Sequence, residues 1–318
     1  MALQTYDFEK PIVELQERIE TLRSDPDSDS EAVKGQVQTL EKEIASLRIK
    51  IYKHLTAWQR VQIARHIMRP RTLDYVRLLL TDWVEIRGDR NFRDDHAVVC
   101  GLARFNGEPV AVIGQQKGKD TRENVHRNFG MMHPEGYRKA LRVMRLAERF
   151  SLPVLILIDT PGAYPGIGAE ERGQAEAIAR NIMEMFSVRT PIIGVIIGEG
   201  ASGGALGIGV VDCMLMLENG WYCVISPEGC ASILWRSAAM APTAAETLRL
   251  TAKDLLELKV IEEIVPEPLG GAHHNHEEAA RYLGEALGRQ IKRLKKKKTD
   301  VLLQERFEKY RGMGVFSE

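Results

Sequence analysis

Two apolar stripes open the chain. Ile12, Leu15, Ile19 and Leu22 recur at spacings of three and four, and Val33, Val37, Leu40, Ile44, Leu47 and Ile51 do so again. That period puts each set on one face of a helix. Between them Ser24, Asp25, Pro26, Asp27, Ser28, Asp29 and Ser30 are polar and include a proline. The chain is therefore expected to fold back there as a helical hairpin over residues 1–56.

From about Trp58 the pattern changes. Short unbroken apolar runs at 110–113, 154–158 and 192–197 each lead into a glycine-bearing turn and then a helix-like segment, at 134–150, 170–186 and 203–211. Runs without alternation fit strands covered on both faces, and helices between them point to crossover units of a parallel sheet. The turns then gather where strand ends meet helix starts, a place where unpaired backbone N–H groups favour negative charge. Two more runs, 213–217 and 222–225, precede Ser226 and Pro227, a serine cap followed by proline in the first turn. Residues 242–263 are expected to be helical. A last helix from Glu277 is expected to run into Lys292, Arg293 and Lys295 to Lys298. The domain reading is a hairpin at 1–56, an α/β body at 57–290 and a basic helical tail at 291–318.

Composition narrows the choices. A chain of 318 residues that is 44% hydrophobic fills a sizeable core. Forty-four basic residues balance forty-four acidic ones, so no global field draws the protein to nucleic acid or membrane. Lys295 to Lys298, with Arg289, Lys292 and Arg293, read as a solvated helix end rather than a nucleic-acid contact. Cys100, Cys213, Cys223 and Cys230 form no CxxC pair and sit at no finger-like spacing from histidine, so neither a metal site nor a disulfide framework is expected. They read as reduced thiols of a cytoplasmic protein. The start of the chain lacks a secretory h-region. Residues 192–217 carry only Glu199 and Asp212 as charges, but glycines divide them into strand, turn and buried helix, so no membrane span is expected.

Two glycine turns hold the candidate chemistry. Gly198, Gly200 and Gly203 fit G-x-G-x-x-G, with Glu218 as a possible ribose ligand, and Gly200, Ser202 and Gly204 fit the nucleophile elbow G-x-S-x-G. The elbow makes Ser202 a nucleophile, yet His126, His133, Asp159 and Asp212 fall outside the usual hydrolase order. What both patterns share is a strand emptying into glycines that expose consecutive N–H groups, the makings of an oxyanion hole. Asp159 and Glu199 stand at strand ends, where carboxylates orient turns.

The residues carry a family resemblance. Asp-Thr-Pro-Gly-Ala-Tyr-Pro-Gly at 159–166, Ala-Glu-Glu-Arg-Gly-Gln at 169–174, the turn at 198–207, Ile-Ser-Pro-Glu-Gly-Cys-Ala-Ser-Ile-Leu-Trp at 225–235 and Pro-Glu-Pro-Leu-Gly-Gly-Ala-His at 266–273 resemble the carboxyltransferase α subunits of bacterial acetyl-CoA carboxylase. So do residues 127–131 and 134–140. The resemblance covers nearly the whole chain, with Ala201 where the family more often has glycine.

It implies a crotonase-like (ClpP/crotonase) superhelix of repeated ββα units and an α2β2 core with a β subunit that carries a zinc ribbon in many species. Further implied partners are a biotin carboxyl carrier protein and a biotin carboxylase, the component that uses ATP. The implied reaction moves a carboxyl group from carboxybiotin on the carrier to acetyl-CoA, giving malonyl-CoA for fatty-acid synthesis, with no cofactor covalently bound to this chain. The ureido anion left by carboxybiotin can take the acetyl proton, so the protein mainly has to hold two anions. The resemblance assigns Gly203, Gly204 and Ala205 as backbone donors toward the ureido oxygen, with Gly162, Ala163, Tyr164, Gly166, Gly200 and Ser202 around them. It puts the thioester's own hole mainly on the β subunit. Lys117 and Arg127, grouped with Lys119, Arg122, Arg138 and Lys139, are expected to attract CoA phosphates or the carboxylate. The alternatives are a serine hydrolase using Ser202 and a non-catalytic assembly module.

Overall fold

The structure, a computed structural model, describes residues 6–24 and 30–314. The turn expected at 25–29 lies outside the described residues, as do both ends of the chain. On either side of that turn stand α1 (Lys10–Arg23) and α2 (Glu31–Lys53), the latter opened by Ser30, whose side chain accepts the Val33 N–H. They pair along the two stripes. Ile12, Leu15 and Ile19 bury against Leu40 and Ile44, with Leu22, Val37, Leu47 and Ile51 alongside and Val33 outside the cluster. Tyr6, Tyr52 and Ile63 form a second small cluster that ties the hairpin base to the body.

The body begins with α3 (Ala57–Ala64) and α4 (Thr72–Leu79), then a meander of β1 (Leu80–Glu85), β2 (Val98–Phe105) and β3 (Glu108–Gln115). Asn106 and Gly107, at φ +51° and +81°, make the tight turn between β2 and β3. After α5 (Thr121–His126) and α6 (Pro134–Arg149) come β4 (Val154–Thr160), α7 (Ile167–Glu171), α8 (Gln174–Met185) and β5 (Ile192–Ala201). Next are α9 (Ser202–Leu206), β6 (Cys213–Leu217), β7 (Trp221–Cys223), α10 (Pro227–Trp235), α11 (Ala241–Thr247), α12 (Ala252–Glu257) and β8 (Glu263–Val265). The chain closes with α13 (His276–Leu294) and α14 (Thr299–Arg311).

The sheet runs in the order β1, β2, β3, β4, β5, β6, β8, parallel from β3 onward. Every residue of β4, β5 and β6 is buried, which is why these runs show no polar alternation. Successive residues of β4 serve two cores: Val154, Ile156 and Ile158 face the one containing Tyr137 and Met144 of α6, while Leu155 and Leu157 face the one containing Tyr75 and Leu283. β5 is ten residues long, so its first half pairs with β6 and its last three residues pair with β7. Those last residues reach the candidate site.

Several boundaries differ from expectation. The helix expected at 170–186 is broken by Gly173 at φ +80° into α7 and α8. The helical stretch expected over 242–263 is interrupted at Arg249 (φ +49°) and restarted by Thr251, which caps α12 with Asp254, and it ends in β8 rather than helix. The helix expected at 203–211 is only the five residues of α9. No helix among the described residues is long and apolar enough to cross a membrane.

The largest difference is at the C-terminus. The line drawn at 290 falls inside α13, and the lysines form the turn into α14, which docks back on the body. Arg306 is buried and holds both Asp212 oxygens at 2.8 Å while donating to the carbonyls of Met185, Val188 and Thr190. The Tyr310 hydroxyl accepts the Val211 N–H and donates to Gly209 O. Leu302 adds one buried apolar contact, but with the polar anchors doing the rest the helix has no continuous apolar stripe, so periodicity gives no sign of it.

Candidate active site at two abutting glycine turns

The ends of β4 and β5 carry the two turns, and the turns touch. A Cβ on Gly204 would lie 2.3 Å from the carbonyl carbon of Gly162, 2.5 Å from its oxygen and 2.7 Å from the nitrogen of Ala163. Only glycine lets the start of α9 approach that backbone. The side chain of Gln115, buried at the end of β3, joins the two: it donates to Gly204 O at 2.7 Å and accepts the Asp159 N–H at 3.1 Å.

The backbone donors of the two turns are unequally committed. The Gly162 N–H is taken by Thr160 Oγ1 at 3.2 Å, and the Tyr164 N–H by Met132 O at 3.1 Å. Between them, the Ala163 N–H has no acceptor among the described residues, and Gly203 and Gly204 lie in the first turn of α9, where a helix leaves its own amides unpaired and Ala201 offers no side-chain cap. Ala205 is buried with its side chain in the main core. Gly203 is half-buried, and a Cβ there would meet only Ile178 Cδ1 at 3.5 Å. Tyr164 folds over the Cα of Gly166, where a Cβ would be 2.4 Å from the ring, and lies 4.4 Å from the His133 ring. Ala201, the last residue of β5, is buried in the core.

Both sequence patterns that compete with this site come apart. Gly198 and Gly200 lie inside β5 rather than on a loop, and Gly200 is paired with Thr160 and Tyr222. A Cβ on Gly200 would strike the Tyr222 ring at 2.9 Å, so close packing alone accounts for a glycine here. Glu218 follows β6 and accepts the Glu267 N–H. A dinucleotide fingerprint needs its glycines past the strand end. Ser202 is exposed at φ +53°, and its hydroxyl has no hydrogen-bond partner among the described residues. None of its supposed partners reaches it: His126 stacks on His96, His133 sits beside Tyr164 and Asp95, and Asp212 is held by Arg306.

Asp159 belongs instead to a charged cluster beneath the turns. Lys117, 7% exposed at the end of β3, donates to Asp159 Oδ1 at 2.7 Å and to Glu199 Oε2. Asp159 also accepts Arg71 Nη1 at 3.1 Å and the Glu199 N–H at 3.1 Å. Arg65 reaches Glu199 at 2.5 Å and Glu228 of α10 at 2.5 Å. Three cations thus face three carboxylates across the ends of β3, β4 and β5. Burial by itself raises the Asp159 carboxyl, but Lys117 and then Arg71 outweigh it and hold it below the ordinary range. Glu199 is likewise raised by burial and lowered further by Lys117 and Arg65. Groups pinned in the ionised form fix strand ends; they do not exchange protons near neutrality.

Most of the basic residues expected to attract phosphates or the carboxylate are engaged by partners within the chain. Lys117 is consumed in that cluster, and Lys139 is buried on Asp94 and the carbonyls of Asp95 and Val98. Lys119 pairs with Asp74, Arg138 donates to Arg172 O, and half-buried Arg127 donates to His96 O at 3.2 Å. Arg122 is left exposed. Sequence reasoning missed Gln115, Arg65 and Arg71. Their signal was weak: polar residues at the edges of apolar runs, with no motif to join them.

Comparison with known proteins places the chain. A profile of acetyl co-enzyme A carboxylase carboxyltransferase-like proteins matches residues 5–314. The acetyl-coenzyme A carboxylase carboxyl transferase subunit alpha of Geobacter metallireducens is 57% identical over 312 residues, covering 98% of each chain. That of Geobacter sulfurreducens is 60% identical over 87% of each. The chain belongs to the acetyl-CoA carboxylase carboxyltransferase α-subunit family.

Solved structures agree on the fold of this α subunit. Transcarboxylase 12S superposes with a TM-score of 0.57 at 16% identity, over 73% of this chain and 44% of that one. The β subunit of Pseudomonas aeruginosa geranyl-CoA carboxylase gives 0.55 at 16%, over 83% and 47%. A Pseudomonas malonate decarboxylase hetero-tetramer gives 0.55 at 17%, over 66% and 84%. The α subunit spans less than half of the first two chains. The crotonase-like α/β fold expected from the resemblance is the fold these neighbours share.

Proposed function

We propose that this α subunit supplies the carboxybiotin-facing half of an acetyl-CoA:carboxybiotin carboxyltransferase site, completed by a β subunit in an α2β2 core. The observation that supports the reading is the close approach of Gly204 to the Gly162–Ala163 peptide, since the amides of Ala163, Gly203 and Gly204 belong to these two abutting turns. Such donors stabilise an oxygen that gains negative charge, each by about 3 to 4 kcal/mol in comparable sites. The ureido oxygen of a biotin that has released its carboxyl group is such an oxygen. The ureido nitrogen takes the proton from the acetyl methyl, and the resulting enolate carbon bonds to the released CO2. Asp159 and Glu199 are taken up in ion pairs with Lys117, Arg71 and Arg65, which lowers their basicity and fits this division of labour.

Gln115 and the Lys117, Asp159 and Glu199 cluster are positioning residues in this account. The carrier protein delivers biotin, the biotin carboxylase loads it using ATP, and this chain binds neither covalently; all act in the cytoplasm. Arg122 and Arg127 remain the candidates for contacts with the carboxylate or CoA phosphates. The test is turnover. Co-expressed with its β partner, the chain should carry out transfer from malonyl-CoA to free biotin, and purified alone it should not. A stable pair without such turnover favours an assembly module, and covalent labelling of Ser202 by a fluorophosphonate favours a hydrolase.

A further inference from the structure

Where the hairpin meets the body, Glu9 comes together with His273 and His274 from the other end of the chain. One carboxylate oxygen of Glu9 and one ring nitrogen of each histidine lie within 4.8 Å of one another. The loop that presents the rings is set by Gly270 and Gly271 at φ +96° and +94°, and is closed by hydrogen bonds from Gly271 N–H to Pro268 O and from His274 N–H to Gly271 O. His273 is stacked between His66 at 4.0 Å and His274 at 4.4 Å. Its Nδ1 is buried with no hydrogen-bond partner among the described residues.

The donor types suit a ligand set: each imidazole nitrogen offers the lone pair that a metal needs. Glu9 is oriented by the Tyr52 hydroxyl on Oε1 and by the Tyr6 N–H on Oε2 at 3.3 Å, contacts of the kind that fix a ligating carboxylate.

We propose that Glu9, His273 and His274 form a binding site for a divalent transition-metal ion of the zinc class, which clamps the start of the hairpin to residues 270–275. Two nitrogens and one carboxylate oxygen, with water as the fourth ligand, match the preference of Zn2+. Two imidazoles disfavour Mg2+ and Ca2+, which take oxygen ligands. Arg48 acts on His274 and Arg69 on His273, both against any cation, though Arg69 is bound by Glu267. No spacing motif announces the site, because its ligands come from the two ends of the chain.

The test uses the untagged full-length chain, stripped of metal and titrated with Co2+. The expected result is one ion per chain with the visible absorption of four-coordinate Co2+, displacement by Zn2+, and slower amide exchange in residues 6–12. Replacing the exposed ligand, His274→Ala, should weaken Co2+ binding by at least roughly tenfold, as should Glu9→Gln, while His54→Ala outside the cluster should not. Co2+ uptake by folded His274→Ala with unchanged affinity, or no uptake by the folded parent chain, overturns the proposal.

Discussion

Gly204→Ala is the sharpest perturbation of the site, because it adds one carbon at a place where the structure leaves none. The new Cβ would stand 2.3 Å from the Gly162 carbonyl carbon, whereas ordinary contact begins near 3.4 Å. The two turns must therefore part by about 1 Å, a displacement of reacting groups that can cost on the order of a hundredfold in rate. That corresponds to about 2.7 kcal/mol, the loss of one well-placed oxyanion donor. Overpacking of this kind also lowers stability by ~1 to 3 kcal/mol, so folding is checked by thermal melting. Gly203→Ala is the companion, since its Cβ would meet only Ile178 Cδ1 at 3.5 Å; its turnover should fall no more than a few-fold. Both variants are assayed with the β partner for transfer from malonyl-CoA to biotin, reading kcat and KM separately. A folded Gly204→Ala enzyme with the parent kcat refutes the reasoning.

Other positions give further expectations. Ser202 sits at φ +53°, so Ser202→Gly should keep turnover and add up to ~1 kcal/mol of stability, whereas loss of turnover in the folded variant would show that the Ser202 side chain is needed for the reaction. Lys117→Met leaves Asp159 and Glu199 buried without their shared cation and should cost ~3 to 5 kcal/mol near neutrality by urea denaturation. In the parent both carboxyls are held below their unfolded values of ~4, so their stabilisation is full above that pH and is lost as pH falls through the lower folded values. In the variant only Arg71 and Arg65 oppose burial, so both carboxyls should rise and the deficit should shrink on acidification; a pH-independent deficit contradicts the electrostatic account. Arg306→Ala strands Asp212 and should destabilise by a similar ~3 to 5 kcal/mol while exposing α14 to proteolysis; a full-stability variant would show that the helix is held otherwise.

What was legible in the sequence follows from the range of each interaction. The hairpin and the core strands were readable because their burial is written in local periodicity: two helical stripes, and apolar runs covered on both faces. The turns stand out in the sequence as glycines at strand ends, and the structure brings the two together through the close approach of Gly204 to the Gly162–Ala163 peptide. Gly200 shows the ambiguity, since a glycine that admits the Tyr222 ring looks the same in sequence as one that exposes backbone N–H groups. The fate of Lys117 and Lys139 depended on carboxylates and carbonyls up to 82 positions away, which no local pattern reports. The docking of α14 through Arg306 was hidden likewise, and so was Gln115, whose two bonds join segments 44 and 89 positions distant.

The central claim is that the backbone N–H groups of Ala163, Gly203 and Gly204 receive the biotin oxygen. Amide exchange on the assembled complex, with and without saturating biotin, tests it most directly. Peptides spanning residues 159–166 and 198–207 should become protected when biotin binds, and this protection should be lost in Gly204→Ala. Biotin that inhibits the complex while leaving exchange in both turns unchanged would contradict the claim.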